Sequence, residues 1–202
     1  HTAYLFENGV KYVFLAVFPV TLSIITFSNE GLDVWLGRDF AENSTRVMQW
    51  MAAGVLVHSL GQVPYSLIQA VGRPDLTAKL HLVELPFYVL ILWQMVNING
   101  IMAAAIAWTA RMIVDTMVMF GMAQKLLGIS VGMTRQQLLV TGLTVLSMVI
   151  AAILTDLAAK GLFLLIGSLL GIPAAWFLIL TPKDRGWIRN RIGRSDKKVS
   201  HS

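Results

Sequence analysis

The chain has 202 residues, of which 56% are apolar even without glycine and only 13% are charged, with a net charge of +5 and no cysteine. A soluble domain carries about 45–50% apolar residues with glycine counted and about 25% charged ones, which excludes a water-soluble enzyme, a DNA-binding module and a disordered tail. Without thiols there is no disulfide framework, iron–sulfur cluster or thiolate zinc site. What remains is an all-α polytopic membrane protein.

In chain order, six stretches approach the ~20 apolar residues needed to cross ~30 Å of hydrocarbon. They cover residues 10–27, 47–70, 80–96, 100–123, 138–154 and 161–180. Polar punctuation separates them: an outer loop from Ser28 to Thr45, then Gly72-Arg73-Pro74-Asp75, Asn97 to Gly100, Gly128 to Gln137, and Thr155 to Lys160. The apolar runs are continuous rather than alternating, which argues against a β-barrel. Short connections make successive helices antiparallel neighbours. The expected architecture is a bundle of about six transmembrane helices over residues 1–181, followed by a basic cytoplasmic tail over 182–202.

Lys and Arg fix the orientation. Lys11, Arg73, Lys79, Lys125, Arg135 and the seven cations of the tail share one side, whereas only Arg38, Arg46 and Lys160 lie on the other. The first side is therefore cytoplasmic. The positive balance reads as topology plus a tail resting on anionic membrane lipids, and nucleic acid is not expected as a partner. The chain opens at His1 with neither an initiator Met nor a signal-peptide pattern, and it reads as a fragment lacking an N-terminal part.

An ionisable group inside a membrane costs at least ~2.5–3.5 kcal/mol and needs a partner or a cavity. Glu84 lies in the third span; Arg111 and Asp115 lie in the fourth, i,i+4 on one face. Because the two spans are antiparallel, all three fall in the cytoplasmic half, and Arg111 is expected to be held by Asp115 and Glu84. Two roles are open: an ion cluster that fixes helix pairing, or a guanidinium on a water-filled path that meets an anion such as phosphate. His81 and Glu84 form an H-x-x-E pair, half of a metal site. No second pair accompanies it, so no metal is expected, and His81 is assigned to the cytoplasmic interface.

In the second span, His58, Gln62, Tyr65 and Gln69 form one polar stripe on an otherwise apolar helix that contains Pro64. Such a stripe either hydrogen-bonds to other helices or lines a hydrophilic cavity. Ala103, Ala104, Ala105 and Ala107 give the fourth span a small-residue face for close packing. No Walker A pattern is present. Ser168 has no activating partner, Glu84 and Asp115 come with Arg111 rather than as an isolated acid pair, and the outer loop has no histidine. Neither an enzyme nor a cofactor is expected.

Three pieces in order carry a family resemblance. They are the run Val63 to Lys79 (VPYSLIQAVGRPDLTAK), the Glu84-Leu85-Pro86 triplet, and Gly100-Ile101 through Ala104-Ala105-Ile106-Ala107-Trp108 followed by Arg111 and Asp115; Trp35-Leu36-Gly37 agrees with them. Together they resemble the C-terminal lobe of bacterial Wzx-type oligosaccharide flippases, relatives of the multidrug/oligosaccharidyl-lipid/polysaccharide exporters that include the MATE transporters. The likeness covers about residues 10–125; the last two helices match only in hydropathy. It implies one lobe of a two-lobed, MATE-like bundle in the bacterial inner membrane, with the N-terminal lobe as its partner. The implied activity is movement of an undecaprenyl-pyrophosphate-linked oligosaccharide from the inner to the outer leaflet by alternating access. Arg111, Asp115, Glu84, His58, Gln62 and Gln69 would then line the cavity or its gate. The alternatives are a cation-coupled drug or small-molecule exporter of the same superfamily, with Glu84 or Asp115 as coupling carboxylate, and a membrane glycan-processing enzyme.

Overall fold

Continuous apolar runs have no water with which to pair their backbone groups, so they satisfy them internally as helices. The computed structural model describes residues 2–128 and 135–178, and among these it contains only helices. They are α1 (Thr2–Thr26), α2 (Ser28–Leu36), α3 (Arg38–Ala70), α4 (Pro74–Leu127), α5 (Arg135–Ile153) and α6 (Leu157–Leu178). Gly100, at φ 60° and ψ −144°, breaks α4 into two arms, a backbone conformation that a Cβ would oppose. His81 and Glu84 of the first arm face Arg111 and Asp115 of the second, so the arms fold back on each other as a hairpin.

Four segments are long and apolar enough to cross a membrane: Asn8–Thr26, Arg38–Ala70, Pro74–Ile98 and Gly100–Leu126. In α5 and α6 the described apolar segments, Thr141–Ile153 and Leu157–Gly167, are shorter. The tail at 182–202 lies outside the described residues. The four spanning segments put the ends bearing Arg73, Lys79 and Lys125 on one side and those bearing Arg38 and Arg46 on the other, as the charge bias requires.

The connection at 28–45, expected as an outer loop, is helical. Gly37, at φ 89°, separates α2 from α3, with Glu30 and Asp39 in their respective first turns, where the helix dipole favours a negative charge. A structureless link of that length is uncommon, and here the backbone pairs with itself. At 33 residues α3 is about 50 Å long, so its first turns stand beyond ~30 Å of hydrocarbon. At its other end, Gly72 turns at φ 75° and Pro74 opens α4 at a position where its missing N–H costs nothing.

The centre of the fold is the parallel seam between α3 and the second arm of α4. Thr109 Oγ1 donates to the Trp50 carbonyl at 2.9 Å, and Thr116 Oγ1 donates to the Val57 carbonyl at 3.2 Å. Both members of these pairs advance by seven residues, the spacing that keeps one face of each helix on its neighbour. Gly54 and Gly61 repeat the same interval. A Cβ on Gly54 would collide with the Trp108 ring, and one on Gly61 would come within 2.8 Å of Thr116 Oγ1. Of the expected alanines, Ala103, Ala105 and Ala107 are buried; Ala105, one turn before Thr109, lies on the side of this seam, and Ala103 and Ala107 lie on another side of the helix. The paired glycines of α3 are the other half of the contact. Gly54→Val therefore drives a branched side chain into a rigid indole. The expected loss is at least the ~1–3 kcal/mol of overpacking, read as a lower melting temperature in detergent, whereas Gly31→Ala, which meets open space, leaves it unchanged.

Helix α1 lies antiparallel to α3: Gly9 approaches Val63, and Gln49 Nε2 donates to the Ile25 carbonyl at 3.2 Å. Phe6 meets Phe120 edge to face at 5.7 Å. By contrast, the first arm of α4 exposes Leu82, Phe87, Leu90 and Trp93, a face suited to lipid tails. At the end of the bundle that bears Arg38, Arg46 Nη1 donates to the Ala152 carbonyl at the end of α5 at 3.3 Å. Lys160, only 5% exposed, places Nζ 2.7 and 3.0 Å from the two Glu30 oxygens. The Asp156 carboxylate caps the start of α6 through the Ala159 N–H at 2.9 Å. From Gly161 the chain forms a second compact unit, helical to Leu178.

Candidate functional site

The α4 hairpin sets four ionisable side chains at one depth. Glu84 lies about 15 Å along the first arm from Pro74, and Asp115 about 16 Å from Leu126 at the matching end of the second. Both fall, as expected, in the half of their arms nearer Arg73 and Lys125, while Arg111, about 22 Å from Leu126, lies just past the middle of the second arm. Helical spacing then puts His81 and Glu84 on one face of the first arm and Arg111 and Asp115 on one face of the second.

The pairing differs from the expected one. Arg111 does reach Glu84, with Nε 3.6 Å from Oε2, and its guanidinium lies 4.9 Å from the centre of the Tyr88 ring, within cation–π range. Asp115 is paired with His81 instead of Arg111, its Oδ1 3.6 Å from the imidazole Nδ1. The same Nδ1 is 3.8 Å from Glu84 Oε2. His81, expected apart from the cluster, joins it: its ring is partly exposed and its Nδ1 points between two carboxylates. The hairpin geometry explains both changes. Arg111 is long enough to cross to the first arm, where an anion and an aromatic face receive it, and this leaves Asp115 to the histidine.

None of these contacts is as short as a hydrogen bond. His81 Nδ1, both Glu84 oxygens, Arg111 Nε and Asp115 Oδ1 are buried and lack a hydrogen-bond partner. A buried polar atom left in that condition costs ~1–3 kcal/mol, and more if charged. The cluster is accordingly an electrostatic assembly with unused donor and acceptor capacity, and well-satisfied structural ion pairs do not look like this. It could engage an anion through Arg111, or a cation through His81, Glu84 and Asp115, whose ligand atoms lie within 4.8 Å of one another.

The second-span stripe divides. His58 and Gln62 are exposed, with Gln62 Nε2 3.0 Å from His58 Nε2, and Ser66 continues the exposed row by donating to the Gln62 carbonyl at 2.8 Å. Gln69 instead donates to Thr77 Oγ1 at 3.3 Å. Thr77 is itself buried and bonded to the Pro74 carbonyl. Gln69 therefore fastens the turn between α3 and α4, and the open stripe is His58, Gln62 and Ser66. Thr116, next to Asp115, bonds the Val57 carbonyl, next to His58, so stripe and cluster stand at the same level along the bundle. Sequence reasoning missed His81 as a member of the cluster and the Gly54/Gly61 pair. The seven-residue spacing of those glycines was the available signal; for His81 none existed without the hairpin.

No family model matches the chain, and no solved structure matches it significantly. A stretch of 113 residues, 56% of the chain, is 33% identical to a Shigella flexneri protein described as "Putative O-antigen transporter", of which it covers 27%. The chain therefore spans about a quarter of that relative's length. Over that stretch it is distantly similar to a membrane transporter, and four of its helices are long and apolar enough to cross a membrane.

Proposed function

We propose that the chain forms one lobe of a two-lobed carrier in the bacterial inner membrane, with its C-terminus cytoplasmic and six helices crossing the bilayer. The carrier moves an undecaprenyl-pyrophosphate-linked oligosaccharide from the inner to the outer leaflet by alternating access. One observation carries the reading: within helices long and apolar enough to cross a membrane, an exposed hydrophilic row on α3 and an under-satisfied ionic cluster on α4 stand close to one level along the bundle. A lipid-linked glycan needs its sugar head hydrated or hydrogen-bonded while its tail stays in lipid. His58, Gln62 and Ser66 offer donors and acceptors to hydroxyls, and Arg111 offers a guanidinium to pyrophosphate, the anion geometry it suits best. The similarity to the "O-antigen transporter" supports the same substrate class. The pair Glu84 and Asp115 favours a second reading, a cation-coupled exporter of smaller molecules.

Cysteine accessibility tests the proposal, helped by the absence of native cysteine from this chain. In the full-length carrier in cells, Gln62→Cys is expected to react with a hydrophilic thiol reagent, and Leu90→Cys, on the apolar face of the first arm, is not. Purified lipid-linked oligosaccharide slows labelling of Gln62→Cys in proteoliposomes. Protection by a hydrophobic drug cation but not by the glycolipid favours the second reading, and a Gln62 site sealed under every condition removes the passage.

A further inference from the structure

We propose that His81, Glu84 and Asp115 form a binding site for a divalent transition-metal ion of the zinc(II) class, joining the two arms of α4. The inference does not depend on the transport reading. The three residues each offer one ligand atom, all within 4.8 Å of one another. His81 Nδ1 is already 3.8 Å from Glu84 Oε2 and 3.6 Å from Asp115 Oδ1. Around a tetrahedral ion with bonds of about 2.0–2.1 Å, neighbouring ligand atoms stand roughly 3.4 Å apart, so side-chain movements on the order of 1 Å complete the set.

The second observation is the state of those atoms. Asp115 is 7% exposed, and its Oδ1, aimed at His81, has no hydrogen-bond partner. His81 Nδ1 and both Glu84 oxygens share that condition. Helix geometry brings unsatisfied donor-poor atoms to one point, which is the arrangement a metal ion satisfies and a hydrophobic core avoids. The ligand set also selects the ion. One imidazole with two carboxylates suits zinc and its neighbours in the first transition row, whereas calcium and magnesium take oxygen ligands. Three protein ligands leave a fourth position open.

Charge sets the sign of the decisive test. Two carboxylates face one guanidinium, and Arg111 competes for Glu84 Oε2 at 3.6 Å. When Glu84 turns to the ion, the Tyr88 ring at 4.9 Å remains as a support for the displaced guanidinium. Arg111 therefore weakens metal binding, and its neutral replacement strengthens it.

Cobalt(II) binding to the purified full-length carrier, followed by its visible absorption and by displacement with zinc(II), tests the site. His81→Ala and Asp115→Asn are expected to lower affinity by at least the ~10–100-fold that loss of even an outer-shell partner costs. Arg111→Gln is expected to raise affinity about tenfold or more, through removal of a nearby positive charge in a poorly screened site. His58→Ala leaves binding unchanged, which separates this site from incidental histidine binding. A gain of affinity cannot arise from misfolding. Unaltered binding in His81→Ala, or no tightening in Arg111→Gln, overturns the proposal; displacement of cobalt by a small excess of magnesium overturns the assigned metal class.

Discussion

In the carrier proposed above, Arg111→Ala is expected to reduce glycan export in cells by at least tenfold, and the double variant Arg111→Ala/Glu84→Gln is expected to leave export just as low. Two separate effects meet at this residue. Arg111 faces Glu84 at 3.6 Å inside the span, and removing one partner of a buried pair strands the other, at a cost of about 3 kcal/mol or somewhat more. The single variant therefore loses stability and protein level as well as function. Changing Glu84 to its neutral isostere removes the stranded charge and restores the level, because an uncharged pair no longer pays for desolvation. If Arg111 serves only to hold the two arms together, the double variant recovers export along with abundance. If its guanidinium meets the pyrophosphate, abundance returns and export does not. Export in the double variant at the wild-type level would reduce Arg111 to a structural group.

Glu30→Ala is expected to destabilise the folded protein by about 3 kcal/mol, read as a lower melting temperature in detergent. Lys160 is buried at 5% exposure, and Glu30 supplies both carboxylate oxygens within 3.0 Å of its ammonium. Without them the ammonium must desolvate unpaired or withdraw. The figure sits at the low end of the ~3–5 kcal/mol for breaking a buried pair, because Glu30 keeps a third of its side chain exposed and a lysine stem can redirect its charge to the membrane surface. Replacing both partners together, as Glu30→Gln/Lys160→Met, recovers most of the loss. The contrast lies one helix away. Arg38 and Glu42 form a 3.1 Å pair with side chains 83% and 63% exposed, and Glu42→Gln is expected to move the melting temperature little, since exposed pairs are worth at most ~1 kcal/mol. Equal losses at the two sites would mean that Lys160 is hydrated in the folded protein.

Periodicity and composition alone determined the helical class, six apolar stretches of which four are long helices in the structure, the grouping of Arg73, Lys79 and Lys125 at the end opposite Arg38 and Arg46, and the placement of Glu84, Arg111 and Asp115 within the apolar segments. These properties are written along one strand of sequence, because the cost of burying a backbone group or a charge in hydrocarbon is paid residue by residue. The resemblance carried by Val63 to Lys79 is likewise local. What only the tertiary structure decided is who meets whom. The break at Gly100 folds α4 into a hairpin whose register brings His81 to Asp115 and Arg111 to Glu84 and Tyr88, and one residue of slippage in either arm would rotate a ligand about 100° away. Gln69 leaves the open stripe because the turn at Gly72 presents Thr77 to it. Glu30 finds Lys160 across 130 residues, a distance over which no periodic pattern carries information. Depth in the bilayer is a one-dimensional quantity and can be read from a sequence; the azimuth of a side chain around its helix is set by the neighbours against which that helix packs.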